Sequence, residues 1–340
     1  MATLDLFARL VSVEAENANF RGIRDYYSPE AKAVLTAWSE GFVDRDGKFL
    51  IELQTTFNSS FWELYLHAAL KEMAFDVNFD HPRPDFLVCR DGKPQFTVEA
   101  AIASNASGAS KEWDRPMFNP KDWLKVDVEA VVDAATLRFS NTVVSKYAKY
   151  EREYSTLAHV QGLPFVLGIA AFDQPFFFYE SIAPALRVLY GYDMLRDVRT
   201  EGAESSFPDA QKPGGAIVPM GLFLREQLPH VSAVLFSNVA TASKLRALCP
   251  TSQGETIRFF VLWAPADGGP AERQSVPGHE YSERLLDGLH VFHNPAVVQF
   301  PQATFDRPGE VQWGYDSKTA VSRGRAAILT STPCVHHAPR

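Results

Sequence analysis

The chain is poor in cysteine, poor in long apolar runs and short of positive charge. Its three cysteines, Cys89, Cys249 and Cys334, lie far apart, with no CxxC pair and no Cys/His ligand spacing. Neither a zinc site nor a disulfide framework is therefore expected. No run of about 18 apolar residues occurs, so no membrane span is expected. Met1-Ala2-Thr3-Leu4-Asp5 lacks the basic and apolar regions of a secretory signal, and a reducing cytoplasm is the expected location. Lys and Arg number 33 against 41 Asp and Glu, a formal net charge of -8. That argues against a simple DNA-coating protein, which would be basic overall, but it leaves room for an enzyme with a local basic groove. There is no GxSxG elbow, no Walker loop, no internal repeat and no low-complexity tract.

What remains is an ordinary globular composition, 46% apolar and 22% charged over 340 residues. That is enough chain for one large domain or two moderate ones. Residues 1–40 read as helical. Leu6, Leu10 and Val13 recur at helical spacing, and Ser28-Pro29-Glu30 reads as an N-cap followed by Pro at the first helical position. Asp44 to Lys48 is a turn signal. Phe61 to Phe75 is apolar nearly all round and predicts a buried helix. Phe75-Asp76-Val77-Asn78-Phe79 alternates strictly and predicts a half-buried strand. Asp85 to Cys89 and Gln95 to Ile102 predict a strand pair around Asp91-Gly92. A long loop is expected over 104–122, then a helix over 124–157 with a break in its middle. Pro164 to Phe172 is a buried strand. Farther on, Ser181 to Leu195 reads as helix, and Val231 to Asn238 and Thr256 to Ala264 as buried strands. Residues 200–219 and 265–279 read as loops, and the last ~35 residues as irregular.

The residues that carry chemistry are acidic. Pro84-Asp85-Phe86-Leu87-Val88 and Phe96-Thr97-Val98-Glu99-Ala100-Ala101-Ile102 place two carboxylates on adjacent strands, and Glu63 lies on the preceding helix. Carboxylate oxygens suit Mg²⁺, which takes one or two of them and keeps several waters. A metal so held polarises a phosphate and activates water. Strand geometry sets a condition. With a two-residue Asp91-Gly92 turn, Asp85 falls opposite Val98 and Glu99 points to the other face. A three-residue loop, or a bulge, is needed to bring Asp85 and Glu99 to one face. Glu63 has a second reading, because Ser60-Phe61-Trp62-Glu63 fits a capping box.

These residues resemble the PD-(D/E)XK, or restriction-endonuclease-like, nuclease superfamily. The matching residues are Pro84-Asp85 and Glu99, with Glu63 upstream, and the order of elements from 60 to 173 is similar. The resemblance implies an α/β fold with an αβββαβ core over 51–174, a helical N-terminal addition over 1–50 and an α/β extension over 175–340. It implies a nuclease using Mg²⁺ or Mn²⁺ at Glu63, Asp85 and Glu99. It also implies a nucleic-acid partner, DNA ahead of RNA, and a homodimer as the form that cuts two strands. The sequence departs from the family at Ala101, where a Lys is usual. Lys146 and Lys149, three apart on the following helix, share a face with Thr142 and are candidates to replace it. Arg138, Lys146, Lys149 and Arg152 form a basic series interleaved with Tyr147 and Tyr150, a pattern suited to phosphate contact and base stacking. The alternative expectation is an inactive module of the same fold that binds nucleic acid or a protein.

Histidines 279, 290 and 293 have no second spacing that would make a site. On a strand, His290 and His293 fall on opposite faces. His336-His337 sits in the tail, and Gly214-Gly215 reads as a plain loop.

Overall fold

A computed structural model of the chain describes residues 4–105, 108–113, 125–197, 206–249, 257–264, 271–297, 302–305, 310–316, 319–324 and 327–335. It is a mixed α/β protein. Four helices come first: α1 Ala18–Tyr26, α2 Pro29–Trp38, α3 Phe49–Thr55 and α4 Asn58–Glu72. Strands β1 Asp76–Asn78, β2 Phe86–Arg90 and β3 Lys93–Ile102 follow, then the long helix α5 Val128–Lys149 and strand β4 Phe165–Ala170. The second half holds α6 Ala183–Tyr190, α7 Met194–Asp197, β5 Ala210–Gln211, β6 Ile217–Val218, β7 Val231–Ser237 and α8 Ala242–Ala247. It ends with β8 Ile257–Ala264, β9 Glu272–Pro277, β10 Leu289–His293, β11 Glu310–Asp316, β12 Thr319–Gly324 and β13 Ala327–Val335.

Eight strands form one sheet in the order β1-β2-β3-β4-β7-β10-β11-β12. β1, β2 and β3 are an antiparallel meander, β4 lies parallel to β3, and β7 parallel to β4. The strands of the C-terminal half thus extend the sheet that the N-terminal half begins. A second, three-stranded sheet runs β13-β8-β9.

Alternation along β3 divides the core. Phe96, Val98 and Ala100 pack with α2, α3 and α4 on one face, while Ala101 and Ala103 pack with α5 and α6 on the other. The α4 face is tightly seated. A Cβ on Gly168 of β4 would stand 2.7 Å from Leu66 Cδ1, so glycine permits the close approach. Trp62 Nε1 donates to the Gly168 carbonyl at 3.0 Å across the same contact.

Ser28 caps α2 as expected, accepting from the Ala31 amide. Several expectations are corrected. Residues 4–17 form turns and irregular segments rather than a helix, and Leu10 and Val13 are exposed, because only Leu6 of the three reaches the core. Helix α5 is unbroken to Lys149 and ends in a π turn, Tyr150–Tyr154. Residues 272–277 are strand β9, since they pair with the apolar β8. The tail holds β11, β12 and β13. His290 and His293 lie on β10, both buried, and His290 accepts from Trp313 Nε1. His336 and His337 lie outside the described residues. Among the described residues no helix is long and apolar enough to cross a membrane.

Candidate active site

The β2–β3 hairpin sets the geometry. Asp91 and Gly92 both have positive φ, 51° and 71°, as a two-residue type I′ turn requires. Arg90 pairs with Lys93 and Cys89 with Pro94, but Val88 pairs with Phe96. Gln95 is therefore an extra residue on β3. Pro94 beside it has no N–H to give to the ladder, and bulges are where strand prolines settle. Beyond the bulge Phe86 pairs with Val98, so the next positions out, Asp85 and Glu99, face each other on one side of the sheet. A short turn and a bulge together achieve what either a longer loop or a bulge was expected to do.

Asp85 stands just before β2, and its Oδ2 accepts the Ala100 amide at 2.7 Å. Glu99 is almost wholly buried. Its Oε1 accepts from Lys146 Nζ at 2.8 Å and from Lys149 Nζ at 2.9 Å, and its Oε2 from the Tyr154 hydroxyl at 3.0 Å. Both lysines leave the last turn of α5, one turn apart, and reach over the sheet face onto the carboxylate. Ala101, two residues past Glu99 on the same face, is small and buried in the α5-side core, so this space receives its positive charge from α5.

Tyr154 was not singled out by sequence reasoning. The π turn carries it, with Ser155 N donating to the Tyr150 carbonyl. One extra residue in the turn brings Tyr154 beneath Lys149, whose Nζ is 5.1 Å from the ring centre. Such turns recur at functional sites. The readable signal was the 3-then-4 spacing of Tyr147, Tyr150 and Tyr154, which marks one helix face. Tyr147 and Tyr150 on that face are buried, with Tyr150 stacked 4.3 Å from Phe165, so they are not free to stack on bases.

Glu63 projects from the second turn of α4, partly buried. The capping box is not formed. The helix begins at Asn58, Phe57 holds the N-cap position without a side-chain hydrogen bond, and Ser60 is buried inside the first turn. Packing of Phe57 on Phe61 at 5.0 Å carries the helix upstream of Ser60. Glu63 makes no hydrogen bond or ion pair among the described residues. Burial first, then the negative Asp85 nearby, pushes its carboxyl up to about 8. Asp85 is raised to about 6 by burial and then by Glu99, against the pull of the Ala100 amide and the two lysines.

Arg138 does not join this group. It is largely buried and 3.8 Å from Glu180. Arg152 is exposed and paired with its neighbour Glu153. The basic series thus splits in three: Arg138 inward, Lys146 and Lys149 onto Glu99, and Arg152 to the surface.

Among the described residues, no group of three His, Cys, Asp or Glu side chains is arranged to hold a metal ion. The donor chemistry fits a smaller set. Asp85 is close enough to Glu63 to raise its carboxyl, and neither has a direct ion pair among the described residues. A divalent cation that keeps its waters needs no more than two such carboxylates. Glu99, with both oxygens occupied, holds the lysines.

No family model matches the chain, and comparison with curated proteins and with solved structures finds no match.

Proposed function

We propose that this chain is a metal-dependent phosphodiesterase acting on nucleic acid, built on a restriction-endonuclease-like core and working in the cytoplasm. The observation that carries the reading is the double ion pair of Lys146 and Lys149 with the buried Glu99, which faces Asp85 one position beyond the Phe86–Val98 pair. The element order α4-β1-β2-β3-α5-β4, with β4 parallel to β3, supports it, since this is the αβββαβ order that the motif implies.

Mg²⁺ or Mn²⁺ at Asp85 and Glu63 would polarise a phosphate and lower the pKa of a bound water. The chain's own groups supply the rest. Glu99 fixes two ammonium groups at one point, and Tyr154 fixes Glu99. An ammonium so held donates to the attacking water or to a phosphoryl oxygen and offsets the charge that grows there. Hydrolysis joins the water oxygen to phosphorus and frees one ester oxygen, which leaves with a proton.

A second reading has one observation in its favour. Both Glu99 oxygens already have donors, as in a binding module whose acids serve structure. Purified protein incubated with plasmid, single-stranded DNA or RNA, with Mn²⁺ or with EDTA, separates the two. Cutting that requires the metal supports the enzyme, and intact substrates in every condition support the module.

A further inference from the structure

A cavity of about 410 Å³ opens at the start of α4, where β4 ends. Aromatic rings dominate its lining: Phe57 and Phe61 from α4 and its N-cap, Phe172, Phe177 and Phe178 after β4, and Trp113. No Lys, Arg or His lines it among the described residues. Its volume and apolar character are those of small-molecule sites.

Two polar atoms in this lining are buried without partners among the described residues, Glu112 Oε2 and Thr332 Oγ1. Such orphans are few in folded proteins and call for an explanation. Glu112 is 5% exposed, and burial raises its carboxyl. Its other oxygen is pinned. Oε1 accepts from Asn58 Nδ2 at 2.7 Å and from Asn19 Nδ2 at 2.8 Å. Asn58 Nδ2 also donates to Asp173 at 3.0 Å, which ties the group to the end of β4. The carboxylate is thus fixed with one acceptor left over, and the same lining holds a hydroxyl that can give or accept.

We propose that this cavity binds a nucleobase bearing an exocyclic amine, adenine or cytosine. The rings stack on its faces, Glu112 Oε2 accepts from the amine, and Thr332 Oγ1 donates to the adjacent ring nitrogen. Among the described residues the lining offers a phosphate no cation, and Glu112 repels it, so the sugar and phosphate stay outside. Asn58 lies five residues before Glu63 on α4, about 7.5 Å along the helix axis. The cavity and Glu63 are thus borne on the first two turns of α4, on faces about 140° apart. The cavity's choice of a base is independent of the nuclease reading; only the supply of that base from a strand, by flipping or from a single-stranded end, rests on it.

The test is calorimetric titration of the whole protein with adenosine, cytidine and uridine, and fluorescence titration with single-stranded and duplex oligonucleotides carrying 2-aminopurine. Ser243→Phe, which fills the cavity, and Glu112→Gln are run beside the native chain, with Asp85→Asn as a control for the catalytic site. In E112Q the two asparagine donors keep the amide oxygen, so the amide nitrogen faces the cavity. Adenosine and cytidine should weaken at least tenfold in that variant, while uridine, with a carbonyl in place of the amine, should gain. S243F should lose all binding and D85N should lose none. Binding of free nucleosides makes them sufficient ligands; a response to oligonucleotides alone makes the strand the source, and either outcome supports the site. No response to any probe overturns the proposal. So does uridine binding as tightly as cytidine to the native protein, or binding unchanged in S243F. Cleavage that fails while nucleosides bind would remove the nuclease reading and leave this one standing.

Discussion

Asp85 and Glu99 face each other across the β2–β3 ladder, one position beyond the Phe86–Val98 pair. Their separation of roles follows from their partners. Glu99 is neutralised by two lysines and a tyrosine in direct contact, whereas Asp85 has one backbone amide, feels Glu99 and the two lysines only at a distance, and raises the carboxyl of Glu63. The carboxylates without a direct ion pair among the described residues are those that a metal would satisfy.

Stability should fall as pH rises through the range in which Glu63 is held protonated. Its folded value of about 8 lies above the ordinary 4.5, so between those limits the folded chain holds a proton that the unfolded chain has released. The slope of stability with pH is then negative. Asp85 adds the same sign up to about 6. Melting temperatures across pH 5 to 8.5, native against Glu63→Gln, check this: the native protein should lose more stability on going to pH 8 than the variant.

Mn²⁺ should stabilise the protein more strongly as pH rises through that same window, because metal and proton compete for Glu63 and Asp85. The shift in melting temperature with added Mn²⁺ should be small at pH 5.5 and large at pH 8. It should vanish in Asp85→Asn at both.

Lys146 and Lys149 should be partly redundant for cleavage, since both end on one Glu99 oxygen. Either single alanine variant should keep measurable activity. The double variant should fall by about 10²- to 10³-fold, the usual cost of losing a preorganised donor. Placing lysine at Ala101, two residues past Glu99 on the same face, should restore at least part of that loss. Initial rates on a labelled oligonucleotide would show it, and an unrescued double variant would argue for a purely structural pair.

Tyr154→Phe should destabilise the fold by about 1–3 kcal/mol, because a buried carboxylate oxygen loses a donor. Urea unfolding measures the loss. Activity should drop as well, through a Glu99 that no longer holds its lysines in place.

Much of the site was legible because strand parity and helix spacing are local. Asp85, Glu99 and the Lys146–Lys149 pair follow from residues a few positions apart. The register was not, because the bulge at Gln95 depends on how Pro94 leaves the ladder. The spacing of Tyr147, Tyr150 and Tyr154 marks a face, but the contact of Tyr154 with Glu99 depends on the π turn. Glu63 was read two ways, and aromatic packing of Phe57 on Phe61 decided where α4 begins. Of the strands after residue 305, β11 and β13 pair with the distant β10 and β8, and β12 pairs with β11, so none is legible without them; their own sequences alternate weakly.

The central claim is that Asp85 is required for metal-dependent cleavage. It is tested most directly by cleavage rates of native protein and Asp85→Asn on DNA with Mn²⁺, at a pH near 8, with melting temperatures measured in parallel. The account predicts metal-dependent cutting by the native chain. It also predicts a loss of about 10²-fold or more in the variant, whose melting temperature should be equal or higher because a buried like charge is gone. A variant that cuts at the native rate, or a native chain that cuts equally well in EDTA or not at all, would contradict it.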